Sequence, residues 1–174
     1  MNQGFTKFTL MGYMGSGKST VAQILGEKLG RRVIDLDDYI TEKEGLTIPD
    51  IFETKGEIYF RRIENAYLLE LLRSDQSFVL ALGGGTPCYA NNMDIILENS
   101  DSYYLKASIG TLSERLNKEN EHRPLIANLN EEQLTEFIAK HLFERRNFYE
   151  RAGAIISIDG KTPEQIASEI SHSR

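Results

Sequence analysis

Residues 12–19 read Gly-Tyr-Met-Gly-Ser-Gly-Lys-Ser and fit the pattern G-x-x-x-x-G-K-[ST]. The pattern is restrictive because it needs a strand before it and a helix after it. Its glycines let successive backbone N–H groups turn inward around phosphate oxygens, and the following helix adds the positive end of its dipole. Residues 6–10 supply the short strand. Lys18–Leu29 supplies the helix, with Val21, Ile24, Leu25 and Leu29 at helical spacing and Gly30 placed to end it. In that setting Gly12, Gly15, Ser16, Gly17, Lys18, Ser19 and Thr20 form a nucleotide cradle. Lys18 reaches the β- and γ-phosphates of ATP, and Ser19 sets its hydroxyl on Mg²⁺.

The remaining elements alternate. Strands are expected at residues 33–37, 78–82, 103–106 and 155–158. Short helical pieces are expected between 39 and 54, with Thr47 as a cap, and Gly56 opens a longer helix to 73. Further helices lie at 91–98, after a Thr111/Glu114 capping box, from Asn130/Gln133 to 149, and after Thr162-Pro163-Glu164-Gln165. Five strands separated by helices give an α/β fold with a mostly parallel sheet covered on both faces. Ligands of such sheets sit beyond the C-terminal strand ends. The 174 residues, 40% of them apolar, suit one domain. Residues 117–130 are polar, charged and flanked by helices, which makes them a lid candidate.

Twenty basic residues against 26 acidic give a net charge of -6, which argues against general binding to nucleic acid or membranes. No apolar run approaches a membrane span, and the N-terminus lacks the pattern of a signal peptide, so a cytoplasmic protein is expected. The single cysteine, Cys88, has no partner for a disulfide or a metal pair. His141 reads as a helix-face histidine beside the core.

Three acids in "VIDLDDYI" follow two β-branched residues. On a strand over 33–37, Asp35 and Asp37 share one side, and a neighbouring phosphate site supplies the cation such a pair needs. Asp35, the deeper, can orient a magnesium-bound water. Asp37, nearer the strand's end, can take a proton from an attacking hydroxyl or position it. The competing reading has both acids capping a helical turn near Asp38, which itself reads as a cap. Gly83, Gly84 and Gly85 serve either a tight turn or close approach of a ligand to backbone N–H groups. In the long C-terminal helix, Arg145 falls in the middle of an apolar stripe of Leu134, Phe137, Ile138, Leu142, Phe148 and Tyr149, while Arg146 falls about 100° away. A buried-face arginine is tied to a core carboxylate or aimed at an anionic ligand. Periodicity does not choose between Arg61 and Arg62, and Glu57, Arg61 and Glu64 also fit a surface charge ladder. Arg123, in the lid candidate, either closes over phosphates or stays solvated.

Taken in order, "GYMGSGKST", "DLD" at 35–37, "IFETKGEIYFRRIE" at 51–64, "GGGTP" at 83–87, "RPLI" at 123–126 and "RRNFYERA" at 145–152 resemble the shikimate kinase family over nearly the whole chain. The resemblance implies a three-layer α/β/α fold like that of nucleoside monophosphate kinases. Its five-stranded parallel sheet runs in the order 2-3-1-4-5, with a substrate-binding helical region at about 38–74 and a lid at about 117–130. It implies a cytoplasmic monomer that moves the γ-phosphoryl of ATP to the 3-hydroxyl of shikimate, with Mg²⁺, in chorismate and aromatic amino acid biosynthesis. It assigns the shikimate hydroxyls to Asp37 and the carboxylate to Arg61 and Arg145. Gly83, Gly84 and Gly85 close the substrate pocket. Ser19 and Asp35 go to magnesium, Lys18 and Arg123 to the transferring phosphoryl, and Arg115 to the adenine. Two departures are mild: "RPLI" stands for a more usual pair of leucines, and "RRNFY" for "R-x-P-L-Y".

Overall fold

The computed structural model describes residues 6–119 and 125–173. Strand β1 (Lys7–Met11) runs through the glycine loop into α1 (Lys18–Leu29). Then come β2 (Arg32–Asp35), α2 (Leu36–Glu44), α3 (Ile48–Arg73) and β3 (Phe78–Ala81). A single 3-10 turn at Thr86–Cys88 precedes α4 (Asn92–Asn99), β4 (Asp101–Lys106), α5 (Ile109–Glu119), α6 (Glu131–Tyr149), β5 (Ala154–Ser157) and α7 (Pro163–His172). All pairings are parallel and the strand order is β2-β3-β1-β4-β5, as expected.

Strand periodicity divides the core between two faces. Phe78 and Leu80 of β3 join Ile34, Ile40, Phe60, Leu68 and Met93 on one face. Val79 and Ala81 join Val21, Leu25, Leu112, Ile138 and Ile166 on the other. Burying four consecutive residues in β3 is what a central parallel strand requires. The outcome is three layers, with α2, α3 and α4 against one face and α1, α5, α6 and α7 against the other.

Caps set the boundaries. The Asn130/Gln133 and Thr162/Gln165 capping boxes both form. Thr47 caps α3, within which Gly56 (φ 84°, ψ 171°) breaks the helical geometry, so a new helical run opens there as the sequence indicates. Three expectations are corrected. The helix assigned to a Thr111 cap starts earlier, because Ser108 Oγ accepts the Thr111 N–H at 3.2 Å and takes the capping role itself. Residues 117–119 belong to α5, and Ile126 is fully buried, so the polar segment is not all loop. Residues 120–124, with Arg123, lie outside the described residues.

The third correction concerns the acids. The strand stops at Asp35 and does not reach 37, because the Asp35 carboxylate accepts the Asp37 N–H at 2.9 Å and opens α2 as its N-cap. A side-chain acceptor for an orphan helix N–H replaces further sheet pairing, whose register ends at Asp35 opposite Ala81. Asp35 and Asp37 are therefore not strand neighbours. Asp38 is an exposed first-turn residue and not the cap.

Candidate active site

A cleft of about 580 Å³ opens at the C-terminal ends of β1, β2 and β3. Gly15, Gly17, Lys18, Ser19 and Thr20 line one side, Asp35, Asp37, Gly83 and Gly84 the other, and Arg115 one end. Gly12 and Ser16 belong to the same loop but do not line the cleft. A Cβ on Gly12 would stand 2.8 Å from the Leu105 carbonyl oxygen and 2.9 Å from Ser16 Oγ, at a φ of 153°. The loop thus packs too closely there for any side chain.

Several features suit polyphosphate. The first hydrogen bond of α1 runs from Val21 N–H to the Gly17 carbonyl at 3.0 Å, and no side chain caps the helix at Gly17. The N–H groups of residues 18–20 therefore have no acceptor within the helix. Ser16 Oγ is buried without a hydrogen-bond partner. Lys18 Nζ donates to the carbonyls of Gly12 (2.8 Å) and Tyr13 (3.1 Å), which holds the ammonium across the loop. Arg115 Nη1 donates to the Gly15 carbonyl at 3.2 Å, at the loop's edge.

The donor set for a cation is small and hard. Ser19 Oγ donates to Asp35 Oδ2 at 3.0 Å, so helix α1 and the end of β2 present two oxygens together. Among the described residues no group of three or more His, Cys, Asp or Glu side chains could hold a metal. Two protein oxygens beside a phosphate cradle fit Mg²⁺, which keeps water and substrate oxygens as its other ligands.

Asp37 faces Gly83, whose Cβ position lies 3.3 Å from Asp37 Oδ1. Burial first, then the charges of Asp35 and Glu64, push its carboxyl up to about 6, with Lys18 opposing. The next two glycines carry the arginines. A Cβ on Gly84 would come within 3.2 Å of Arg145 Nη1, and one on Gly85 within 3.0 Å of both Arg61 Nη atoms. The triple glycine therefore lets two guanidinium groups lie against backbone. Among the described residues no carboxylate pairs with Arg145; its guanidinium lies against Gly84 and over the Tyr13 ring. Arg146 is exposed, over the ring of Phe143. Arg61 points inward, 3.8 Å from the centroid of Tyr89, whereas Arg62 lies over Tyr59 on the outer side of the helix.

Glu64 is the residue that sequence reasoning undervalues. It is only 1% exposed, not part of a surface ladder. It accepts from Arg61 Nη1 at 3.0 Å and from Thr86 Oγ1 at 2.8 Å, while Asn92 Nδ2 donates to the Thr86 carbonyl at 2.8 Å. Tyr149 Oη donates to the Gly84 carbonyl. These bonds fix the turn that follows β3 and the arginines resting on it. A signal for Glu64 exists: Phe60, Glu64, Leu68 and Leu72 recur every four residues, so the acid sits on a buried row. Pro163, which reads in the sequence only as a helix starter, lines the cleft near Arg115.

The family model described as shikimate kinase matches residues 14–173. A shikimate kinase of Flavobacterium johnsoniae is 48% identical over 166 residues, covering 94% of this chain and 96% of that one. The solved shikimate kinase of Bacteroides thetaiotaomicron has a TM-score of 0.88 at 30% identity, over 95% of this chain and 96% of that one. That of Acinetobacter baumannii, in complex with shikimate, gives 0.83 at 34% identity, over 95% and 90%. Matched along nearly its whole length in sequence and in fold, the chain belongs to the shikimate kinase family.

Proposed function

We propose that the protein transfers the γ-phosphoryl group of ATP to the 3-hydroxyl of shikimate, giving shikimate 3-phosphate and ADP on the way to chorismate and the aromatic amino acids. The observation that carries this reading is the acceptor wall. One carboxylate with a raised pKa and two guanidinium groups are set against Gly83, Gly84 and Gly85, directly across from the phosphate loop. A small anionic polyol needs that set: arginines to fork its carboxylate and an acid to read its hydroxyls.

Arg61 and Arg145 hold the carboxylate and so fix the ring, leaving the 3-hydroxyl at Asp37. At neutral pH a carboxyl titrating near 6 is mostly ionised, yet more basic than an ordinary aspartate. The hydroxyl oxygen bonds to the γ-phosphorus as the bond to the β–γ bridging oxygen breaks, and the hydroxyl proton passes to Asp37. Lys18 and the backbone N–H groups of the loop take up the charge shifting onto the phosphates. Arg115 and Pro163 mark the end of the cleft assigned to the adenine. Arg123 keeps the phosphoryl-screening role that the resemblance implies. Ser19 and Asp35 would hold Mg²⁺, which would supply positive charge against the transferring phosphates.

We further take the protein to act as a cytoplasmic monomer with no nucleic-acid or membrane partner, in keeping with its net charge of -6. Among the described residues no helix is long and apolar enough to cross a membrane. Light scattering at working concentration checks the oligomeric state. The deciding experiment is a coupled assay of ADP release with shikimate, gluconate, a nucleoside monophosphate or no acceptor. Strong dependence on shikimate alone is expected. ADP release indifferent to shikimate would overturn the reading.

A further inference from the structure

His141 has no part in the chemistry above, yet its ring closes a contact between the phosphate loop and α6. Tyr13, the second residue of the loop motif, is 1% exposed, so its hydroxyl needs a partner inside the protein. Tyr13 Oη meets His141 Nδ1 at 3.0 Å. The Phe137 ring packs edge-on against the imidazole at 4.3 Å between centroids and limits its rotation. Burial, then the charge of Arg145, hold the imidazole below its ordinary pKa, and burial pushes the Tyr13 phenol up to about 12. Near neutral pH both groups are uncharged, and the imidazole tautomer sets which of the two donates.

Tyr13 also touches the two sides of the cleft. Its carbonyl accepts from Lys18 Nζ at 3.1 Å, on the donor side. Its ring lies beneath Arg145, with the guanidinium carbon 5.6 Å from the ring centroid, on the acceptor side. His141 and Arg145 stand four residues apart on α6, so one helix face carries the lock and the group that it aims.

We propose that the Tyr13–His141 hydrogen bond is a positioning device for Arg145: it fixes the ring on which the guanidinium lies and pins α6 to the phosphate loop. Neither member of the bond acts on substrate through it; the effect passes through Arg145. The inference rests on the functional reading above, in which Arg145 holds the acceptor carboxylate. A loss of the bond therefore affects acceptor affinity and leaves the transfer step largely alone.

The test is full steady-state kinetics on His141→Phe, His141→Gln, Tyr13→Phe and the double variant Tyr13→Phe/His141→Phe, with folding checked by circular dichroism. His141→Phe should raise the KM for shikimate about fivefold, the size of one net hydrogen bond. The KM for ATP and kcat should stay within about twofold. His141→Gln, whose amide oxygen can accept the phenol proton, should restore most of the loss. Tyr13→Phe keeps the ring and should raise the shikimate KM by a similar factor, and the double variant should be no worse than the poorer single one. An unchanged shikimate KM in both single variants, losses spread evenly over both substrates, or additive losses in the double variant would overturn the proposal. An active wild type with such variants refutes this inference alone. A wild type with no shikimate-dependent ADP release refutes the functional reading, and this inference with it.

Discussion

On the proposed function, the phosphate loop of eight consecutive residues binds chiefly through its backbone. The wall proposed to hold the acceptor gathers Asp37 from α2, Arg61 and Glu64 from α3, the glycines after β3 and Arg145 from α6, and on that reading works through side chains. Each construction has its own weakness. The loop has no room for an extra atom at Gly12, where a Cβ would press on backbone. The wall holds buried charge, and on the proposed function should lose activity when a charge is removed.

Removing one charge from the wall gives the largest expected effect. Asp37→Asn deletes the group that takes or orients the hydroxyl proton, and kcat should fall about 10³-fold. ATP affinity, measured by calorimetry, should change little, because an amide in place of this carboxylate leaves the loop untouched. A comparable loss of ATP affinity would show that the wall and the loop are one unit. Arg145→Ala comes next. It removes a charge-assisted contact and should raise the KM for shikimate about 30-fold, with the KM for ATP little altered. Equal changes in both constants would move Arg145 out of the acceptor wall.

The loop should break the other way. Gly12→Ala forces a Cβ to 2.8 Å from the Leu105 carbonyl oxygen, so the loop must shift, and nucleotide affinity should fall about tenfold. Ser16→Ala only removes a hydroxyl and should cost about threefold, the value of one phosphate contact. Nucleotide titration of the two variants decides. If losing the hydroxyl costs more than gaining the methyl, the loop binds through side chains and the contrast with the wall fails.

The same contrast explains what is legible in the sequence. The loop, its strand and its helix follow from contiguous residues, and three of the helix caps can be read directly because a cap is a local arrangement. The wall is nonlocal. Periodicity places Arg145 on a buried face, but cannot say that the Gly84 backbone and the Tyr13 ring, and not a carboxylate, lie against it. It is silent between Arg61 and Arg62, where family resemblance chooses the residue that the structure turns inward. A strand through 33–37 does not form because alternation and capping both suit Asp-Leu-Asp-Asp. Only the end of pairing opposite Ala81 decides in favour of the cap. Glu64 passes for surface when its charge is weighed above its place on the Phe60–Leu72 row.

The smallest expected effect has the opposite sign to the others, and it tests whether the wall stores strain. Burial and the carboxylates of Asp35 and Glu64 outweigh Lys18 and push the Asp37 carboxyl from 3.8 to about 6. Between those values the folded protein keeps a proton that the unfolded chain has released, so stability falls as pH rises through that window. Above it the penalty is fully present, on the order of 3 kcal/mol. Asp37→Asn removes the charge but leaves a polar amide in the same half-buried place, which offsets part of the gain. Without ligands the variant should be more stable than wild type at pH 7.5 by about 1 kcal/mol, which raises Tm by about 2–4 °C for a chain of this size. Near pH 4, where the folded wild type keeps its proton and most of the penalty is gone while the amide's cost remains, the order should reverse, with the variant less stable by about 1 kcal/mol. Thermal melts of both proteins at the two pH values measure it. A variant less stable than wild type at pH 7.5 would mean that Lys18 holds the carboxylate more strongly than burial and its acidic neighbours oppose it. The loop would then be steadying the wall, and the two halves of the cleft would not be separable.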